Sequence, residues 1–198
     1  MVSTRFADKF RGRIGGIGRI VAKTNLTPNA LTFIGLGLSF VVAAVIASGN
    51  LVLGGVLLLL AGAWDVLDGA VARATNQMTQ FGAFLDSTFD RYSDAVVLGG
   101  VLIYFTRTDA GTLPIVLTYT AIVGSLIISY VRAKAELVGI RGNVGFAQRL
   151  ERVIILAAAL LASRPEWGIW ILALITQITA AHRLIHVWRT MRSDESHS

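Results

Sequence analysis

Six apolar stretches alternate with turn-forming or charged residues along the chain. Each stretch is near the ~20 residues that a helix needs to cross the hydrocarbon core of a bilayer, the fifth being the shortest. Gly49 and Asn50 predict a tight turn after the first stretch, and Thr27 and Pro28 suit the start of its helix. The predicted spans cover residues 29–48, 51 to about 68, 81–105, 113–135, 147–162 and 167–188.

The composition is that of a membrane protein. Hydrophobic residues make up 54% of the chain and charged residues only 15%, whereas ~25% of the residues in a soluble domain are charged. Because the apolar runs recur along the whole length, we expect one all-α integral membrane domain over residues 1–198. Cysteine is absent, which excludes disulfides and thiolate metal sites.

The two ends of the chain differ from this core of residues 29–188. Residues 1–24 place apolar side chains at helical spacing among basic ones, which predicts an amphipathic helix on an anionic membrane surface. Several glycines weaken that prediction, since each costs up to about 1 kcal/mol in a helix interior, so an irregular basic arm is the alternative. Residues 193–198 are expected to form a short polar tail.

Basic residues are distributed unevenly between the two predicted sides of the membrane. Six spans place both termini on one side, and that side holds 16 of the 18 lysines and arginines, leaving only Arg107 and Arg164 opposite. Lysine and arginine concentrate in cytoplasmic loops. We therefore expect a bacterial-type inner-membrane protein with both termini in the cytoplasm.

Five aspartates form the main polar feature of the predicted core. Asp65 and Asp68 share one face of the second helix, and Asp86, Asp90 and Asp94 form a stripe on the third at intervals of four. A short loop joins the two helices, so these faces must lie close together at the cytoplasmic end. Carboxylates repel one another there, and divalent ions that prefer oxygen ligands, Mg²⁺ or Mn²⁺, would offset the repulsion.

Two other interpretations of the aspartates remain open. They could pair only with Arg73 and Arg91, although two arginines cannot neutralise five acids. They could instead line a cation pathway through a divalent-cation transporter, although the acids lie at one end of their helices rather than near the middle of the membrane.

The same stretch resembles the full signature of the CDP-alcohol phosphotransferase family. The pattern fixes eight positions over 26 residues, namely Asp65, Asp68, Gly69, Ala72, Arg73, Gly82, Asp86 and Asp90. The resemblance implies a six-helix homodimer that transfers a phosphatidyl group from a CDP-linked lipid to an alcohol and releases CMP.

Roles for individual residues also follow from this resemblance. It implies that Asp65, Asp68, Asp86 and Asp90 hold two Mg²⁺ ions, for which Mn²⁺ can substitute, and that Asp90 is also the general base. It further implies a set of CDP-lipid contacts comprising Thr27, Pro28, Asn29, Ala30, Asp68, Gly69, Arg73 and Thr79. Asp94 lies outside the signature, and the resemblance gives it no role.

A basic cluster in residues 129–154 bears on the acceptor alcohol. Arginines that converge in space favour a phosphate group, so the acceptor is expected to be phosphorylated. Basic loops that only satisfy the positive-inside rule are the alternative. The segment is similar to actinobacterial phosphatidylinositol phosphate synthases, with the order of lysine and arginine exchanged at two positions. That similarity implies an inositol 1-phosphate site formed by Arg132, Lys134, Arg152 and Arg183.

The sequence thus predicts an enzyme that transfers a phosphatidyl group from CDP-diacylglycerol to inositol 1-phosphate. One alternative keeps the chemistry and changes the acceptor to glycerol 3-phosphate, as in a phosphatidylglycerophosphate synthase. An ether-lipid donor of the archaeal type is a further alternative, and a divalent-cation transporter is the alternative of another class.

Overall fold

The protein is all-α, as the hydrophobic pattern predicts. The computed structural model describes residues 28–74, 79–140 and 148–195, with side chains described except at 28, 66–74 and 193–195. The predicted interfacial helix over 1–24 and Thr27 lie outside these residues. No strand occurs in the described ranges. The described ranges contain six helices, namely α1 (Pro28–Ala47), α2 (Leu51–Ala74), α3 (Gln80–Arg107), α4 (Thr112–Leu137), α5 (Arg149–Leu161) and α6 (Pro165–Glu195).

The ends of the helices follow local signals in the sequence. The turn after α1 places Gly49 at a φ of +92°, a conformation that glycine adopts without strain. Thr79 caps the start of α3, where its Oγ1 accepts a hydrogen bond from the Gly82 backbone N–H at 2.9 Å. The helix α5 is shorter than its predicted span, with 13 residues, and α6 is longer, with 31.

The helices pack as a closed bundle. Their main contacts place them in the order α1, α2, α5, α6, α4, α3 around the bundle, with α3 again beside α1. The core is apolar and includes Ile46, Phe105, Leu160 and Ile169, all fully buried. In this order α3 is next to neither α2 nor α5, but side chains of these three helices come into contact.

Small residues allow the closest helix contacts. A Cβ atom built on Gly100 of α3 would lie 2.5 Å from the carbonyl oxygen of Ala43 in α1. No side chain fits in that space, so the glycine lets the two backbones approach each other. Small residues at helix crossings serve this purpose in membrane proteins, where van der Waals packing drives the association of helices.

The outer surface of the bundle is apolar. Large side chains that stay exposed include Phe40, Leu60, Trp167 and Leu174, each more than half accessible. A soluble protein rarely exposes apolar surface on this scale. Three described helices are long and apolar enough to cross a membrane, Asn29–Ala47, Thr112–Leu137 and Pro165–Arg192, and Leu51–Asp65 is a shorter apolar helix. The protein is therefore an all-α integral membrane protein, and the count of six spans stays a prediction.

Candidate active site

The predicted aspartate faces of α2 and α3 come together, although α1 lies between these two helices in the bundle. Carboxylate oxygens of Asp65, Asp86 and Asp90 all lie within 4.8 Å of one another, and each of these side chains is partly buried. The intervals of four on α3 explain why Asp86 and Asp90 point the same way. Asp68 lies one turn beyond Asp65 on α2, but its side chain is outside the described set, as are those of Gly69 and Arg73.

The oxygen cluster suits a divalent ion. Its donor set contains only carboxylate oxygens, the ligands that Mg²⁺ and Mn²⁺ prefer. The cluster also needs positive charge, because three partly buried carboxylates at such short distances repel one another. Asp65, Asp86 and Asp90 therefore fit the ion that the sequence pattern predicts.

The start of α1 lies beside the start of α3, close to this cluster. Asn29 reaches Gly82 so closely that a Cβ on Gly82 would be 3.1 Å from the Asn29 Oδ1 atom and 3.0 Å from Thr79 Oγ1. Gly82 thus leaves space in which the two helix starts meet. The structure brings Asn29 and Thr79, two predicted CDP-lipid contacts, to the same place. It also gives Thr79 a structural role as the cap of α3.

Arg149 enters the aspartate cluster from the first turn of α5. Its Nη1 atom pairs with Asp65 and also with Asp90 Oδ1 at 2.7 Å, while its Nε atom lies 3.5 Å from Asp94 Oδ1. The start of α5 is fixed by a reciprocal cap, in which the Gln148 backbone N–H donates to Glu151 Oε2 at 3.0 Å. The guanidinium of Arg149 therefore contacts three carboxylates from two other helices.

Sequence reasoning placed Arg149 only in the basic cluster of residues 129–154, and it left the role of Asp94 open. Arg152 follows Arg149 by three residues on the same face of α5, and it forms an ion pair with Asp94. The spacing of three was the available signal, since residues three apart on a helix lie side by side. The partners could not be inferred from spacing, because Arg149 is 84 residues from Asp65 along the chain.

A polar cavity of about 440 Å³ opens next to the cluster. Three of the predicted acceptor residues, Arg132, Arg152 and Arg183, line it, and Arg91 and Arg149 are two further arginines in its wall. Arg183 is 4% exposed and donates a hydrogen bond to the Ile128 carbonyl oxygen at 3.0 Å. The remaining polar groups of the wall are carboxylates, hydroxyls and an amide, from Asp86, Asp90, Asp94, Glu136, Ser87, Ser129 and Gln148.

Lys134 is the predicted acceptor residue that does not line this cavity. It is exposed, and its ammonium group lies 5.7 Å from the centre of the Tyr130 ring. The reason is helical geometry, because two residues along α4 correspond to a rotation of about 200°. Arg132, on the cavity side, forms an ion pair with Glu136 at 2.8 Å.

The interpretation in which the acids pair only with Arg73 and Arg91 does not match the described contacts. The acids pair with Arg149 and Arg152, which come from a different part of the chain. Arg91 donates a hydrogen bond to the Ser87 carbonyl oxygen.

The family model for CDP-alcohol phosphatidyltransferase matches residues 25–185. The chain is 35% identical over 184 residues to the archaetidylinositol phosphate synthase of Pyrococcus horikoshii, and the match covers 91% of this chain and 94% of that protein.

Two solved structures are similar to this chain along most of its length. The crystal structure of Mycobacterium tuberculosis phosphatidylinositol phosphate synthase with CDP-DAG bound matches with a TM-score of 0.83 and 34% identity, over 88% of this chain and 93% of that one. The structure of that enzyme in complex with manganese and citrate matches with a TM-score of 0.81 and 34% identity, over 88% of each chain. The family model spans well over half of the sequence, so the chain belongs to the CDP-alcohol phosphatidyltransferase family and is a multi-pass membrane transferase.

Proposed function

We propose that the protein transfers a phosphatidyl group from CDP-diacylglycerol to inositol 1-phosphate, giving phosphatidylinositol phosphate and CMP. The observation that carries this proposal is the position of Asp90. Its carboxylate belongs to the acidic cluster and also lines the arginine-rich cavity. One carboxylate can therefore face both a donor diphosphate at the cluster and a phosphorylated acceptor in the cavity.

The acidic cluster is the proposed donor half of the site. Asp65, Asp68, Asp86 and Asp90 would hold two Mg²⁺ ions, for which Mn²⁺ can substitute. When bound, the ions neutralise negative charge on the diphosphate and on the leaving CMP. The manganese complex of the Mycobacterium tuberculosis enzyme supports the use of a divalent ion.

The CDP-lipid itself would bind beside this cluster, at the adjacent starts of α1 and α3. The meeting of Asn29 and Thr79 across Gly82 supports this placement, as does the CDP-DAG complex of the similar Mycobacterium tuberculosis enzyme. The proposed contacts are the set implied by the sequence, namely Thr27, Pro28, Asn29, Ala30, Asp68, Gly69, Arg73 and Thr79.

Asp90 is the proposed general base. It would take the proton from the acceptor hydroxyl as that oxygen bonds to the phosphorus that carries the lipid. The bond from this phosphorus to the bridging oxygen then breaks, and CMP leaves with the electron pair. The nearby Arg149 guanidinium stabilises the charged form of Asp90 between turnovers.

The arginine-lined cavity is the proposed acceptor half. Arg132, Arg152 and Arg183 would bind the phosphate of inositol 1-phosphate through charge-assisted hydrogen bonds. Glu136, Ser129 and Gln148 offer acceptors and donors for ring hydroxyls. The volume of about 440 Å³ lies in the range of ~300–1,000 Å³ that is usual for small-molecule sites.

We further propose that the protein is a homodimer in the inner membrane, with both termini and the site in the cytoplasm. The excess of lysine and arginine on the predicted cytoplasmic side supports the orientation. Accessibility of a cysteine introduced into the tail of this cysteine-free chain would test it in sealed vesicles. Labelling from the cytoplasmic side alone is expected.

Acceptor screening with purified protein tests the proposed activity. CMP release from CDP-diacylglycerol should depend on inositol 1-phosphate, and the Asp90→Asn variant should release none. Release with glycerol 3-phosphate but not with inositol 1-phosphate would overturn the acceptor assignment. Because an archaeal relative is an archaetidylinositol phosphate synthase, the donor should also be varied, with a CDP-activated ether lipid as the second donor.

A further inference from the structure

Arg149 contacts two of the carboxylates that would hold a divalent ion. A single nitrogen, Nη1, contacts carboxylate oxygens of both Asp65 and Asp90. These residues are two of the three whose oxygens form the compact cluster. An ion held by Asp65 and Asp90 would therefore compete with the guanidinium for these carboxylates.

The present position of Arg149 leaves one of its own donors without a hydrogen bond. The Nε atom is buried and makes no hydrogen bond, although Asp94 Oδ1 lies only 3.5 Å away. A buried N–H that makes no hydrogen bond carries a free-energy cost. A small rotation toward Asp94 would give Nε an acceptor and would withdraw Nη1 from the cluster.

Such a rotation keeps the guanidinium beside the arginine-lined cavity. Arg149 already lines the cavity wall, and Asp94 is also the partner of Arg152. The withdrawn guanidinium would therefore join Arg152 as a second donor from the first turn of α5. Its charge would then act on an anion in the cavity rather than on Asp65 and Asp90.

We propose that Arg149 is a positioning residue that exchanges between two sets of partners. It pairs with Asp65 and Asp90 while no divalent ion is bound, and an incoming ion displaces it to Asp94 and to the arginine-lined cavity. Ion binding and acceptor binding are then coupled, and the coupling is reciprocal, so each tightens the other. The exchange rests on contacts alone, whereas the coupling rests on the proposed function of the cavity.

Binding of Mn²⁺ to the full-length protein without CDP-lipid or acceptor tests the exchange. Electron paramagnetic resonance of free aqueous Mn²⁺ gives the affinity directly. Removal of the competing cation in Arg149→Gln should tighten Mn²⁺ binding by roughly tenfold, or about 1.4 kcal/mol. The Arg189→Gln variant loses the same charge from an exposed position on α6 and should bind Mn²⁺ like the wild type. Equal or weaker binding by Arg149→Gln than by the wild type would overturn the proposal.

A second variant covers the case in which Arg149→Gln does not fold. Lysine keeps the charge but presents a single ammonium in place of the planar fork, so it bridges two carboxylates less well. Arg149→Lys should therefore tighten Mn²⁺ binding by a smaller factor, about threefold, or ~0.6 kcal/mol. Unchanged or weaker binding in this folded variant would again contradict the exchange.

The coupling is measured with inositol 1-phosphate as the probe. Its affinity for the wild type should rise when Mn²⁺ is present, and this rise should disappear in Arg149→Gln. If Mn²⁺ binding tightens in Arg149→Gln as expected but inositol 1-phosphate does not bind at all, the exchange stands and the acceptor assignment fails. If inositol 1-phosphate binds with the same affinity with and without Mn²⁺, the coupling is refuted.

Discussion

Arg152 and Asp94 form an ion pair that joins the first turn of α5 to the aspartate stripe of α3. Both side chains are largely buried, with exposed fractions of 10% for Arg152 and 15% for Asp94. The pair links the acidic cluster to the wall of the arginine-lined cavity, the proposed acceptor site. Asp94, which lies outside the family signature, thereby gains a defined contact.

The Asp94→Asn variant is expected to weaken acceptor binding. Asparagine removes the charge that holds Arg152 at the cavity wall, and a hydrogen bond to a charged group contributes about 1.5–3 kcal/mol. The KM for inositol 1-phosphate should rise by roughly tenfold or more, while the KM for CDP-diacylglycerol changes little. Steady-state CMP release with each substrate varied in turn is the measurement. Equal increases in both KM values would indicate a general packing defect instead.

Arg132 and Lys134 provide a matched pair on α4. Both side chains are exposed, but Arg132 lines the cavity, whereas Lys134 lies against Tyr130. Arg132→Ala should therefore raise the KM for inositol 1-phosphate, by about tenfold for the loss of one charge-assisted contact. Lys134→Ala should leave that KM within about twofold, as expected for an exposed side chain.

Steady-state CMP release with inositol 1-phosphate varied, at identical divalent-ion concentrations, compares the KM values of the two variants. A larger effect of Lys134→Ala than of Arg132→Ala would show that Lys134 reaches the acceptor and would contradict the cavity assignment.

Gly99 and Gly100 provide a second matched pair, for packing. A Cβ on Gly100 would collide with the backbone of Ala43, whereas a Cβ on Gly99 would meet nothing within 4 Å. Overpacking of a tight contact costs about 1–3 kcal/mol. Gly100→Ala should lower the thermal unfolding midpoint in detergent, and Gly99→Ala should leave it equal or slightly higher, since alanine favours a helix. Equal midpoints for the two variants would show that α1 and α3 are not in close contact there.

The sequence predicted the helices and the aspartate stripe because both depend on local spacing. Asp86 and Asp90 are one turn apart on one helix, so their common face follows from the 3.6-residue period. The helix ends were predicted less accurately for α5, which covers Arg149–Leu161 rather than the predicted residues 147–162. Hydrophobicity alone does not locate the cap that Gln148 and Glu151 form.

The contacts of Arg149 and Asp94 required the fold. They depend on α5 packing beside α2 and on the order of helices around the bundle, which no local pattern encodes. Lys134 shows the opposite case. Lys134 is two residues from Arg132, and this spacing alone places the two side chains on different faces of α4. The similarity to phosphatidylinositol phosphate synthases nevertheless assigned both residues to the acceptor site.

Binding of CDP to the purified protein, with and without a divalent ion, tests the central claim most directly. If the aspartates hold ions that bind the diphosphate, CDP should bind in the presence of Mn²⁺ and fail to bind in excess chelator, and Asp65→Asn should abolish the Mn²⁺-dependent binding. The claim would be contradicted if CDP bound with the same affinity in chelator as in Mn²⁺, with no change in the Asp65→Asn variant.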